Sequence, residues 1–176
     1  YRTVEGMIGS PDNVLLGLNS KYNCLKSIQL YGQFLLDEFT LSEFFSKSGW
    51  WANKYSIQAG VKYLNVLGVD HLDFQGEFNS TRPYTYSHDD PYDSYTHYNQ
   101  ALAHPLGANF KEFIGIIRYQ PGARVFLTLR AIHDKTGENT ATENWGANPL
   151  LSYNSRVSDY GNETGQGVGA AIDILG

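Results

Sequence analysis

Between Ile28 and Asp37 apolar and polar side chains alternate residue by residue. Ile28, Leu30, Gly32, Phe34 and Leu36 fall on one side of an extended chain, and Gln29, Tyr31, Gln33 and Asp37 on the other. Lys54 to Tyr63 repeats the pattern, with Tyr55, Ile57, Ala59, Val61 and Tyr63 opposite Lys54, Ser56, Gln58, Gly60 and Lys62. In the cleanest case His71, Asp73, Gln75, Glu77, Asn79 and Thr81 oppose Leu72, Phe74, Gly76 and Phe78. Weaker examples are Val14-Leu16-Leu18, Phe113-Gly115-Ile117-Tyr119, Val125-Leu127-Leu129 against Arg124, Thr128 and Arg130, and Val168-Ala170-Ile172-Ile174. The pattern predicts seven strands. Most are about 9–11 residues long, which matches a tilted strand crossing a bilayer and exceeds the usual globular strand of about 5–6.

The connections alternate in length. Short turns at Lys21–Ser27, Leu64–Asp70 and Gln120–Ala123 separate long loops at 40–53, 83–109 and 135–166. Outer-membrane barrels have short periplasmic turns and longer extracellular loops, so the long segments are expected to face outside. Tyr55, Tyr63, Tyr84, Tyr119 and Phe39 fall near strand ends, where aromatic girdles meet lipid headgroups. The expected fold is therefore all-β, an antiparallel transmembrane β-barrel. Seven strands leave an edge unpaired, so residues 1–176 are expected to be a fragment of one larger barrel domain. The rival is a soluble β-sandwich, whose strands alternate in the same way. Strand length, loop alternation and charges on the polar faces favour the barrel.

Several classes are excluded. The net charge of -5 and the absence of a basic cluster argue against nucleic acid as a partner. Apolar runs such as Val14-Leu15-Leu16 and Ile116-Ile117 fall far short of the roughly 20 residues of a spanning helix. Tyr1 opens the chain with no charged and apolar leader behind it, so a signal peptide is expected either to have been removed already or to lie outside this sequence. The single cysteine, Cys24, leaves neither an internal disulfide nor a cysteine zinc site and is read as an inert thiol near a turn. Nucleophile elbows, His-Glu-x-x-His, phosphate loops and dinucleotide fingerprints are missing, so no enzyme and no cofactor is expected.

The segment 83–109 mixes tyrosine, histidine and aspartate densely: Tyr84, Tyr86, His88, Asp89, Asp90, Tyr92, Asp93, Tyr95, His97, Tyr98 and His104. The first expectation is that the tyrosines pack the loop onto itself and over the barrel mouth, as a long ordered loop must. The second is a partner- or glycan-binding loop, in which ring faces stack on sugars while Asp and His bond hydroxyls. Asp89, Asp90 and Asp93 lack the spacing of a calcium loop, and His88, His97 and His104 lack tight zinc spacing, so no metal is assigned. Gln29, Gln33, Lys54, Gln58, Lys62, Asp73, Gln75, Glu77, Arg124 and Arg130 are expected to face the lumen. Glu77 and Asp73 are read there as partners of Lys62, Arg118, Arg124 or Arg130 rather than as a catalytic carboxylate pair.

The block His97-Tyr98-Asn99-Gln100, Leu102 through Phe110, and Glu112 resembles outer-membrane proteins of Bacteroidota linked to gliding motility, of the RemB type, themselves distantly similar to Wzi-like capsule-assembly barrels. The resemblance covers about Tyr31 to Arg130. It implies a non-enzymatic barrel in the cell outer membrane, with the lipid bilayer as its surroundings and a protein complex of type IX secretion or a surface polysaccharide as partner. No catalytic residue carries over. Ala101 stands where the pattern has proline, which leaves the backbone there less constrained. The alternatives are a secreted sugar-binding sandwich that stacks sugars on Trp50, Trp51, Trp145 and the loop tyrosines, and a diffusion channel with a wet lumen.

Overall fold

The computed structural model describes residues 15–38, 40–90, 93–98 and 100–166. The chain forms β1 (Leu16–Asn23), β2 (Ile28–Glu38), a short helix α1 (Leu41–Ser46), β3 (Lys54–Tyr63), β4 (Leu72–Thr81), a two-residue hairpin of β5 (Thr96–His97) and β6 (Gln100–Ala101), β7 (Phe110–Gly122) and β8 (Val125–Thr136). Six strands make one sheet in the order β1-β2-β3-β4-β7-β8, each antiparallel to its neighbours. It is an open meander among the described residues, with β1 and β8 at its edges.

Registry carries each face across the strands, one mainly polar and the other mainly apolar. Gln33, Gln58, Asn79, Glu112 and Asp134 follow one another in one cross-strand row, and Phe34, Ile57, Ser80, Lys111 and Lys135 in the neighbouring row on the other face. The apolar face is the uncovered one: Leu18, Leu30, Phe34, Ile57, Phe74, Phe113, Ile117, Leu127 and Leu129 are all exposed. The polar face is covered at one end by the long connections, and the buried set holds more polar than apolar side chains, among them Asp37, Lys54, Asn79, Asn109 and Glu112. The usual arrangement of a globular sheet is inverted.

The structure moves several expected boundaries. β1 runs on to Asn23, so the first turn shrinks to residues 24–27. β7 reaches Gly122 and β8 begins at Val125, leaving only Ala123 and Arg124 in the turn. A register shift between Tyr119 and Gly122 accommodates Pro121, which cannot donate to the ladder. Arg124, expected to face the lumen from a strand, is therefore a turn residue outside the ladder. Lys135 belongs to β8, so the last long connection starts at Gly137. His71 precedes β4 with φ 59 and is off its polar face. Tyr55, Tyr63 and Tyr119 stand on the apolar face at strand ends, but the Tyr84 ring lies inside the loops, fully buried. The expected strand from Val168 to Ile174, Val14, Phe39 and Tyr92 lie outside the described residues.

Gly60 shows how tightly the polar face is filled. A Cβ there would sit 2.2 Å from Tyr31 Cζ, and the Tyr31 hydroxyl donates to Glu77 at 2.5 Å. Gly60→Val is expected to lower stability by about 1–3 kcal/mol through overpacking. Gly17→Val, where a Cβ meets nothing within 4 Å, is expected to change stability by no more than about 0.5 kcal/mol. Chemical denaturation of the two variants beside the parent checks the contrast.

Candidate functional site

Three connections, 40–53, 82–109 and 137–166, fold together into a cap over one end of the polar face. Irregular backbone leaves carbonyls without ladder partners, and a few many-donor side chains collect them. Arg82 donates from Nε to the Asn53 carbonyl at 2.9 Å, and from Nη2 to Trp50 at 3.3 Å and Asn162 at 2.9 Å. Asn109 Nδ2 donates toward the carbonyls of Gly137 at 2.9 Å, Trp145 at 2.7 Å and Gln166 at 2.9 Å, sharing two hydrogens among three acceptors. Its Oδ1 accepts from Gly165 N at 2.8 Å. These two residues stand at the ends of the 82–109 connection and tie it to both of the others.

Lys54, expected on the lumen-facing side, lies on the polar face and is completely buried at the base of the cap. Its Nζ lies 3.2 Å from Glu38 Oε2 and 3.9 Å from Asp37 Oδ2, donates to the Ser87 carbonyl at 3.1 Å, and sits 4.5 Å from the Tyr153 ring centroid. A buried ammonium needs this density of partners to offset its lost hydration. Asp37 Oδ2 also accepts from Tyr86 N at 3.0 Å, which fixes the turn that carries the inner tyrosines.

The tyrosine-histidine-aspartate loop divides into two groups. Tyr84 and Tyr86 are buried, the former donating to the Asn144 carbonyl at 2.7 Å, so their ring faces are not available to a sugar. Burial pushes both hydroxyls above the ordinary tyrosine pKa, and does the same to Tyr153. His88 pairs with Asp89 and lies 5.9 Å from Tyr153. His104 stacks on Phe110 at 4.5 Å with Nε2 3.2 Å from Glu112 Oε2. Asp89 and Asp90 are exposed and Asp93 is half-buried. Tyr95, His97 and Tyr98 belong to the β5–β6 hairpin region and are exposed, Tyr98 at 88%. The three histidines are not brought together, and no group of three or more metal-ligating side chains occurs among the described residues.

Below the cap, a cavity of about 310 Å³ is lined by Gln33, Ser56, Gln58, Asn79, Thr81, Tyr86, Tyr95 and His104 among others. From there a hydrogen-bonded chain runs down the polar face. Asn79 Nδ2 donates to Glu112 Oε2 at 2.8 Å and to Glu77 Oε1 at 3.0 Å, and Gln58 Nε2 donates to the same Glu77 oxygen at 3.0 Å. Gln75 Nε2 donates to the Tyr31 hydroxyl at 2.9 Å and Arg118 Nη1 to Gln75 Oε1 at 3.4 Å. Neutral donors, not the expected cations, thus hold Glu77, because Tyr31, Gln58 and Asn79 are nearer in register. Asp73 accepts from Asn65 N at 3.1 Å in the adjoining turn. Lys62 lies over the Tyr31 ring at 5.5 Å, Gln29 donates to Asn23 Oδ1 at 2.7 Å, and Arg130 is exposed on the edge strand.

Sequence reasoning missed Arg82, Asn109, Asn144 and Tyr153 as organisers of the cap, and named Trp51 only as a sugar platform, whereas its ring packs 4.7 Å from Tyr153 and 6.4 Å from Tyr84. Position alone offered a signal: Arg82 follows the last residue of β4 and Asn109 precedes the first of β7, so each can reach neighbouring connections.

Two outcomes follow from the cap. Asn109→Ala orphans several buried groups and is expected to cost about 2 kcal/mol or more, with segment 137–166 cut faster in limited proteolysis than in the parent. The raised Tyr84, Tyr86 and Tyr153 hydroxyls stabilise the cap fully below the unfolded tyrosine pKa, and that contribution is lost as pH rises through their folded values. The hydrogen-exchange protection of the cap is therefore expected to fall in the alkaline range, and unchanged protection there would refute the assignment.

Comparisons of the chain with family models, with curated proteins and with solved structures find no match, so the functional reading rests on the face polarity of the sheet and the architecture of its cap.

Proposed function

We propose that this chain is part of a non-enzymatic outer-membrane β-barrel, with its apolar face against lipid, its polar face toward the lumen and its cap closing the outer mouth. The observation that carries this reading is the exposed apolar face running through six strands opposite a polar, capped one. Soluble monomers rarely expose contiguous apolar patches larger than roughly a few hundred Å². Strands of ten to thirteen residues from β2 onward in the main sheet add to it, as does the alternation of short turns with long connections.

In this proposal the exposed Tyr95, His97 and Tyr98 of the hairpin meet a protein or polysaccharide partner at the cell surface. Association with gliding motility, type IX secretion or capsule assembly, implied by the resemblance of the block from His97 to Glu112, belongs to the same proposal. A sugar-binding sandwich is disfavoured because a sandwich covers the apolar faces of its sheets. An open diffusion channel is disfavoured because the cap fills one end of the polar face with Lys54, Tyr84, Tyr86 and Phe110.

The test joins fractionation to one substitution. The full-length protein is expected in the outer-membrane fraction, soluble only with detergent, and shifted on a gel by heating. Leu129, 59% exposed and opposite Ile117 near the middle of β8, discriminates further. Leu129→Arg costs roughly 2–4 kcal/mol on a lipid-facing strand near the midplane but about 0.5 kcal/mol or less on a water-facing surface. A detergent-free, unshifted protein that tolerates the arginine would overturn the barrel.

A further inference from the structure

At the cap end of the apolar face, β7 and β8 set two lysines directly opposite each other. Lys111 and Lys135 are cross-strand partners, and both are exposed. Both point to the apolar face, since their neighbours Phe110, Glu112 and Asp134 are turned to the polar face and buried. Side chains so placed have Cβ atoms about 4.5–5.5 Å apart, where like charges repel. Among the described residues neither ammonium has an ion-pair partner. The nearest carboxylates on the same strands, Glu112 and Asp134, face the other side of the sheet and leave the repulsion uncompensated.

The cap approaches one member of the pair: a Cβ built on Gly165 would lie 3.3 Å from Lys135 Cδ. Gly165 is in turn fixed by its N–H donating to Asn109 Oδ1 at 2.8 Å. Ser80, in register with Lys111 on β4, adds a hydroxyl to the row. Below the lysines the same face continues through Phe113 and His133 to Ile117 and Leu129, each a cross-strand pair. Two ammonium groups without an ion-pair partner among the described residues thus crown a column that is apolar apart from His133.

That arrangement matches an amphiphile with an anionic head. We infer that Lys111 and Lys135 seat the phosphate of an outer-leaflet lipid headgroup, with its acyl chains lying along Phe113, Ile117 and Leu129. The inference rests on the membrane reading above. A phosphate between the two ammonium groups converts their repulsion into charge-assisted hydrogen bonds, and lysine stems reach headgroup level naturally from the rim of an apolar face. The apolar column beneath selects a lipid over a free anion, since inorganic phosphate gains nothing from it.

The purified full-length protein in mild detergent is titrated with diphosphorylated lipid A, with the same lipid lacking phosphates, and with inorganic phosphate as competitor. The parent is expected to favour the phosphorylated lipid by roughly 30-fold. K111Q/K135Q loses the preference, K111R/K135R keeps it, and excess inorganic phosphate does not displace the lipid. Equal binding of the two lipids, an unchanged preference in K111Q/K135Q, or displacement by inorganic phosphate overturns the inference. The heat-shift gel is run on the same samples. A retained shift without lipid preference removes this inference alone, and a soluble, unshifted protein removes the barrel and the inference with it.

Discussion

A strand with polar side chains on one face and apolar on the other is stable only where the two faces meet different surroundings. Six such strands in register make that requirement collective, because a slip of one residue turns every side chain to the wrong side. In this sheet the polar face is the one the rest of the chain covers, while the apolar face stays open. Burying one large apolar side chain is worth about 1.5–3 kcal/mol, and the whole net stability of a domain is about 5–15 kcal/mol. Several uncovered leucines and phenylalanines therefore matter as much as the fold itself. The sheet requires an apolar surrounding on that side, and in the proposed reading lipid supplies it.

The cap meets the opposite requirement. Among the described residues few hydrophobic side chains are fully buried, Ala52, Tyr84, Tyr86 and Ala108 in the cap and Phe110 and Ile116 on β7. Much of the cap's cohesion comes from polar side chains that each satisfy several backbone groups. Arginine and asparagine suit the task because guanidinium and amide groups carry several donors in fixed planes. Lys54 works by charge, drawing Glu38, Asp37 and the Ser87 carbonyl around one ammonium. Removing one member of such a set leaves the others buried without partners, which costs more than the bond itself is worth. The cap is cooperative for that reason.

This division explains what could be read from sequence. β2, β3 and β4 were legible because a period of two is a local property of extended chain, and their expected faces match the register. The end of β7 was not, because Pro121 and Gly122 read as a turn although a register shift lets the ladder pass them. Lys54 was assigned to the polar face by alternation, but its burial depends on segments 82–109 and 137–166 folding back over it, which period alone does not encode. The loop tyrosines divided for the same reason. Tyr84 and Tyr98 look alike in sequence, yet one is sealed inside and the other stands 88% exposed. Tyr84 is held by partners far along the chain, Asn144, Gly146 and Trp51.

Cap and sheet are a single hydrogen-bonded body rather than a lid resting on a support. His104 reaches Glu112, Asn79 joins Glu112 to Glu77, and Tyr31, Gln75 and Arg118 continue the chain toward the far turns. Tyr84 and Tyr86 hold positive φ of 63 and 75, a costly conformation for aromatic residues that persists only where the surroundings enforce it. Burial and the Asp37 bond to Tyr86 N provide that enforcement. The β5–β6 hairpin is joined to this body through Tyr95, whose N–H donates to the Tyr86 carbonyl at 2.9 Å, while His97 and Tyr98 stand exposed beyond it. In the proposed reading a partner meets aromatic side chains on a stiff base, which lowers the ordering cost of recognition without making the base itself part of the contact.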